Sequence, residues 1–179
     1  MKRDRTGRTT ARPGTVTDDG HHIVVGGRRW RATDPSIPEK LAAELRTALM
    51  AARRDVGSAK RNGNDERASR AAVHDAKIAL GERGEPWWEP TTEEFRRERI
   101  GAAIRTLVEA RSPRTACPSD VARVVGGMSW RSLTPIVRDV AVQLSDDGEL
   151  VVTQGGRPVQ APWRGPVRLA KAGPVTGSD

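Results

Sequence analysis

Apolar side chains recur along this chain in two rhythms, and the points where one gives way to the other predict its elements. The turn Asp18-Asp19-Gly20 is followed by the β-branched run His22-Ile23-Val24-Val25, and Gly26-Gly27 joins it to a return strand, Arg28 to Ala32, that carries Trp30. Paired glycines reach the positive φ angles of a two-residue hairpin turn. A lone hairpin is marginal in water, so Ile23, Val25 and Trp30 are expected to rest on adjacent helices. Steps of three and four then take over. Leu41, Leu45, Leu49, Ala52 and Val56 define one helical stripe, with Ser36 as its expected cap and Glu39 completing a capping box. Asn62-Gly63-Asn64 breaks the pattern. A weaker helix, Asp65 to Leu80, places Ala68, Ala72, Val73, Ala76 and Leu80 inward, which predicts an antiparallel helical hairpin.

Gly84-Glu85-Pro86-Trp87-Trp88-Glu89-Pro90 interrupts both rhythms, since its two prolines stop helix propagation. Two adjacent Trp side chains are costly to leave in water, so at least one is expected to dock. Thr91 and Glu94 then suggest a capping box for a helix carrying Phe95, Ile100, Ala103, Ile104, Leu107 and Val108, ended by Ser112-Pro113. A short second helix after Cys117-Pro118-Ser119-Asp120 turns Val121, Val124 and Val125 inward and stops at Gly126-Gly127. Ser129 is the expected cap of a third, with Leu133, Val137, Val140 and Leu144 on one face. Glu149 to Thr153 reads as a strand, Gly155-Gly156-Arg157-Pro158 as a turn, and Pro166 to Leu169 as the return.

The sequence therefore predicts an α+β, mainly helical protein: an N-terminal β-hairpin plus helical hairpin, then a winged helix-turn-helix. The expected divisions are a disordered basic arm (1–14), the β-hairpin with the helical hairpin (15–83), a Pro/Trp linker (84–91), the winged helix-turn-helix (92–170) and a disordered tail (171–179). A plain three-helix bundle with a trailing hairpin is the competing arrangement. The ordered set of three helices and a ribbon over some eighty residues favours the winged form.

Composition narrows the function. The net charge is +8, of which residues 1–90 carry +5 and residues 91–179 carry +3. A positive field favours encounter with polyanions, although an Arg-, Ala-, Gly- and Val-rich composition is also what a GC-rich genome tends to encode. One cysteine, Cys117, excludes an internal disulfide framework and points to a reducing compartment. No apolar run reaches the length of a membrane span, and the N-terminus lacks a signal-peptide core, so a cytoplasmic protein is expected.

In a winged helix-turn-helix, the early outward residues of the third helix meet base edges or phosphates. Here these are Arg131, Ser132, Thr134, Pro135 and Arg138, with the two arginines expected on one face two turns apart. Arg157 sits at the expected wing tip and Arg164 on the return segment. Arg bonds guanine or phosphate bidentately, while Ser and Thr suit either base edges or phosphates. Asp139, Asp146 and Asp147 partly cancel this face. The stretch Thr115-Ala116-Cys117-Pro118-Ser119-Asp120-Val121-Ala122-Arg123, the Trp130-Arg131 start of the third helix, Val151 to Val159, and Arg164-Gly165-Pro166-Val167-Arg168-Leu169 resemble a bacterial family of unknown function with a winged-helix-like shape. That resemblance covers the C-terminal half. It implies the fold and brings neither an activity nor catalytic residues. The N-terminal half is similar to a segment joined to that domain in some bacteria.

Catalytic patterns are missing from the sequence. His21, His22 and His74 have no metal-ligand spacing with one another or with Cys117, and no phosphate-binding glycine loop or nucleophile elbow occurs. A non-enzymatic protein is expected, with no cofactor, no metal, no membrane and no small-molecule substrate. DNA is the leading partner, with RNA or a protein as alternatives. Three functions follow: a DNA-binding regulator or nucleoid-associated factor, an adaptor docking on a larger assembly such as the ribosome or RNA polymerase, and a redox switch through Cys117 at a helix start.

Overall fold

The structure is a computed structural model in which residues 14–173 are described; residues 1–13 of the expected arm and 174–179 of the expected tail lie outside them. The chain divides into two compact units, Met1–Ala32 and Thr33–Asp179. In the first, β1 (Thr15–Val16), β2 (His22–Val25) and β3 (Arg28–Arg31) form an antiparallel sheet in that order. The expected hairpin therefore gains a third strand. Gly26 and Gly27, at φ 56° and 77°, make its two-residue turn. Val25 and Trp30, expected to be covered, stay 42% and 46% exposed, beside Val16 at 57%.

The second unit contains helices α1 (Glu39–Asn62), α2 (Arg67–Ala79), α3 (Glu93–Arg111), α4 (Pro118–Gly126) and α5 (Thr134–Asp146). Its sheet is made of β4 (Leu150–Gln154), β5 (Arg157–Pro158) and β6 (Arg168–Lys171), ordered β5-β4-β6 and antiparallel throughout. The protein is thus α+β and mainly helical. Among the described residues, no helix is long and apolar enough to cross a membrane.

One hydrophobic cluster runs through this unit from Ile37 to Leu169. Leu45 and Leu49 of α1, Ile104 and Leu107 of α3, Val121 of α4, Val137 of α5 and Leu169 of β6 all lie in it. Each such side chain contributes about 1.5–3 kcal/mol on burial. The cluster crosses residues 84–91, where the sequence reading put a linker between two domains. The physical reason is α3, whose buried flank from Arg99 to Val108 is wide enough to serve helices on both sides. The 84–91 segment itself is braced. The Glu85 carboxylate accepts from the Thr91 hydroxyl (2.9 Å), the Thr92 hydroxyl (2.6 Å) and the Thr92 amide (2.8 Å). Those bonds, the Thr92 hydroxyl first, hold the Glu85 carboxyl below its usual pKa. Trp87 and Trp88 meet edge to face at 5.0 Å. Gly84, at φ 85°, lies so close to Phe95 that an added Cβ would meet the ring at 2.0 Å.

Helix starts differ in detail. Thr92, one residue after the expected cap, accepts from the Phe95 amide at 3.2 Å. Ser36 does not cap α1, which begins after Pro38 without a side-chain cap. Instead Asp34 accepts from the Ser36 amide at 2.8 Å and takes an ion pair from Arg99, also at 2.8 Å. Arg99 is 8% exposed and donates further to the Ala79 carbonyl at 3.3 Å. The register of α2 also shifts. Ile78 is buried, whereas Ala68 is exposed and lines, with Ala48, Ala51, Ala72 and Ala110, a groove of about 730 Å³.

Candidate nucleic-acid interface

α4 begins with Pro118, whose fixed φ suits a first helical position, and Gly127 follows its last residue. Next comes a 3-10 helix, Gly127–Leu133, and only then α5. The expectation of a regular helix from Ser129 is corrected here. Pro135 has no amide to donate, so it sits in the first turn of the α-helix proper and leaves the residues before it to the tighter winding. The Ser132 hydroxyl donates to the Ser129 carbonyl at 2.8 Å inside this segment.

Because Arg131 precedes α5, it and Arg138 do not form the two-turn pair that a single helix would give. Each goes to a different tryptophan. Arg131 is exposed, with its guanidinium carbon 4.6 Å from the centre of the Trp130 ring. Arg123 of α4 lies 4.4 Å from the same ring, and it also pairs with Asp120 at 3.3 Å. Arginine stacked on an aromatic face keeps its charge and its in-plane donors, so the arrangement presents cationic groups without desolvating them. Met128, two residues earlier, is 96% exposed.

Arg138 is turned inward. It donates to the Trp163 carbonyl at 3.0 Å and the Gly165 carbonyl at 3.2 Å, and its guanidinium stands 5.5 Å from the Trp163 ring. Gln154 adds bonds from its side-chain amide to the Arg164 carbonyl (2.6 Å) and the Pro166 carbonyl (3.3 Å). The segment between β5 and β6 is thus pinned on both flanks. Arg157 and Arg164 themselves are exposed, as is Arg168 at the start of β6. Thr134, the first residue of α5, is half-buried.

Sequence reasoning missed Arg123 and Met128 as members of this face, and the turn composition Gly-Met-Ser-Trp-Arg was the signal that could have found them. It also missed what supports the face from behind. Arg111, at the end of α3, makes a bidentate pair with Glu44 (2.7 and 2.8 Å) and a third bond to Asp120 at 2.7 Å. These bonds, the Glu44 pair first, raise the Arg111 pKa above its usual value. They fix α4 against α1 and α3. Cys117, half-buried before α4, has its Sγ 2.9 Å from the Ser119 hydroxyl. Among the described residues no group of three His, Cys, Asp or Glu side chains could hold a metal ion.

Residues 97–172 match a family described as "Protein of unknown function (DUF3253)". The match begins inside α3 and ends just past β6, so it takes in this whole face. No curated protein matches the chain.

Proposed function

We propose that residues 92–170 are a winged helix-turn-helix and that this non-enzymatic, cytoplasmic protein binds nucleic acid, DNA foremost, as a regulator or nucleoid-associated factor. The observation that carries the reading is an isolated antiparallel bridge between Ala116 and Leu169. It adds a one-residue strand between the first and second helices of the set, beside the ribbon that follows the third. A plain three-helix bundle has no use for such a strand. The cations that support it are Arg131, exposed on Trp130 beside the half-buried, Asp120-paired Arg123, and the exposed Arg157, Arg164 and Arg168 around the wing. Arg138 serves this reading by holding the wing, not by touching the duplex.

Fluorescence anisotropy with a random-sequence duplex, at low and at physiological salt, tests it. Binding should weaken steeply with salt, by about 0.9 in the logarithmic slope for each phosphate neutralised. Arg131→Glu and Arg157→Glu should each weaken it further. Unchanged binding by both variants would remove this face from the interface. No binding even at low salt would sink the nucleic-acid reading and leave an adaptor, with the 96% exposed Met128 as its first candidate anchor.

A further inference from the structure

α1 offers two flanks to its surroundings. Leu41, Leu45, Leu49 and Ala52 enter the core. The neighbouring flank, Lys40, Glu44, Thr47, Ala51 and Asp55, advances in steps of three and four along one side of the helix. It borders two concavities of about 700 and 730 Å³, one against the end of α3 and the start of α4, the other against α2 and α3. They meet at Ala48, Ala51 and Ala110, so a continuous trough follows α1. Its walls carry mostly methyl groups, to which α2 adds Ala68, Ala71 and Ala72. Side chains this small let the backbone of a further helix come close, because the distance between packed helices is set by the residues at the contact.

The two ends of the trough differ in charge. At the end nearest the start of α1, Arg111 is satisfied by Glu44 and Asp120. Lys40 and Arg114 are exposed there, and neither makes a hydrogen bond or an ion pair among the described residues. At the far end Glu149 takes Arg105, Glu109 takes Lys171, and Asp75 has Arg105 at 4.0 Å. Asp55 is exposed at that end and has no partner among the described residues. The free charges on this flank are therefore positive at one end and negative at the other.

We propose that this trough is the interface through which two copies of the chain pair about a twofold axis, with their α1 helices antiparallel. An axis passing between Thr47 and Ala48 sets Lys40 of each copy against Asp55 of the partner subunit. The same axis brings Glu44 level with Ala51 and Thr47 level with Ala48, each twice. A twofold contact uses one patch on both copies, so the patch must complement itself. Opposite free charges at the two ends of an antiparallel flank meet that condition. Charge complementarity thus selects a second copy of this chain, and the alanine walls admit its helix. Arg131, Arg157, Arg164 and Arg168 do not line the trough, so pairing leaves the candidate nucleic-acid face open, and either reading can fail without the other.

The test uses the full chain. Sedimentation equilibrium should give twice the 19.5 kDa chain mass, and the melting temperature should rise with protein concentration. Carbodiimide, which joins an amine to a carboxylate in contact, should link Lys40 to Asp55. Within one copy these residues stand about 22 Å apart along the helix axis, so the link forms only between copies. Lys40→Glu and Asp55→Lys should each raise the dimer dissociation constant roughly tenfold, since symmetry counts every pair twice. The double variant should return to within about threefold of the parent. Ala51→Arg should leave a monomer. If circular dichroism shows that Ala51→Arg does not fold, the charge variants, which alter only exposed side chains, decide alone. A monomer at every concentration overturns the proposal and leaves the trough to a helix of another protein. A dimer that withstands Lys40→Glu and Asp55→Lys has its interface elsewhere and equally overturns it, as does a double variant weaker than either single one. A mass that keeps growing with concentration would mean an open head-to-tail contact, which the twofold arrangement forbids.

Discussion

Arg99 and Arg111 on α3, and Arg131 and Arg157 farther along the chain, put one residue type to opposite uses. The α3 pair works at the seam where the helical hairpin meets the C-terminal helices. Arg99 takes Asp34 and the Ala79 carbonyl, and Arg111 takes Glu44 and Asp120. Each joins elements distant in sequence, and each is largely removed from water. The second pair stands at the rim, where Arg131 touches a tryptophan face and Arg157 is exposed. Charge at the seam is spent on the fold, and its removal strands a partner. Charge at the rim faces solvent. Net charge alone cannot tell these two populations apart.

The comparison is broken most directly at Arg99. Arg99→Ala leaves the Asp34 carboxylate buried and unpaired, which should cost about 3–5 kcal/mol. For a chain of this size that lowers the melting temperature by roughly 6–20 °C. Thermal and urea denaturation measure it, and the salt slope of duplex binding should stay as it was. A stability loss below 1 kcal/mol would move Arg99 out of the seam class.

Arg138 sharpens the boundary, since it sits beside the rim but is used as the seam arginines are. Losing its two carbonyl bonds should cost about 1–2 kcal/mol, and hydrogen exchange should rise in residues 159–167. A variant Arg138→Ala with undiminished stability and a salt slope reduced by a full phosphate would show that it belongs with Arg131 after all.

The smallest effect is at Arg105 and Glu149, an exposed bidentate pair. The Arg105 hydrogen bonds hold the Glu149 carboxyl below its usual pKa. A lowered folded pKa means that the pair's contribution is present above the unfolded value, about 4.3, and is lost as pH falls through the folded value. Solvent screening limits it to a few tenths of a kcal/mol. Asp75, also near Arg105, opposes it. Burial raises its folded pKa, so protonation in acid relieves a cost. Melting curves at neutral pH and near pH 3 should therefore bring Glu149→Gln and the parent chain closer together in acid. A difference that widens in acid would refute the assignment.

Local chemistry made much of this architecture legible in advance. The stripes of α1, α3 and α5 were readable because Leu45, Ile104 and Val140 repeat at helical spacing and are in fact buried. Gly26-Gly27 announced its hairpin because few other residues tolerate those φ angles. What the sequence hid was long-range. Asp34 and Arg99 lie 65 positions apart, and nothing local marks them as partners. Arg138 looked like a contact residue because its bonds go to backbone carbonyls of another segment, which carry no side-chain signature. The 3-10 winding before α5 was hidden for a different reason. Pro135 was visible, but whether a proline starts a helix or merely tightens it depends on what its neighbours pack against. For α2, alanine supplied an apolar pattern too weak to fix which face turns inward. Ile78 was the better guide.

The single core running from Ile37 to Leu169 also has a consequence for synthesis. Translation delivers α1 and α2 first, and the flank of α3 that covers them arrives only after the 32 residues separating Ala79 from Arg111. At ordinary elongation rates that is about two to six seconds. During that interval Leu41, Leu45, Leu49 and Leu80 lack the α3 flank that shares their core, so the nascent helical hairpin is the stage at which this chain shows apolar surface to its surroundings.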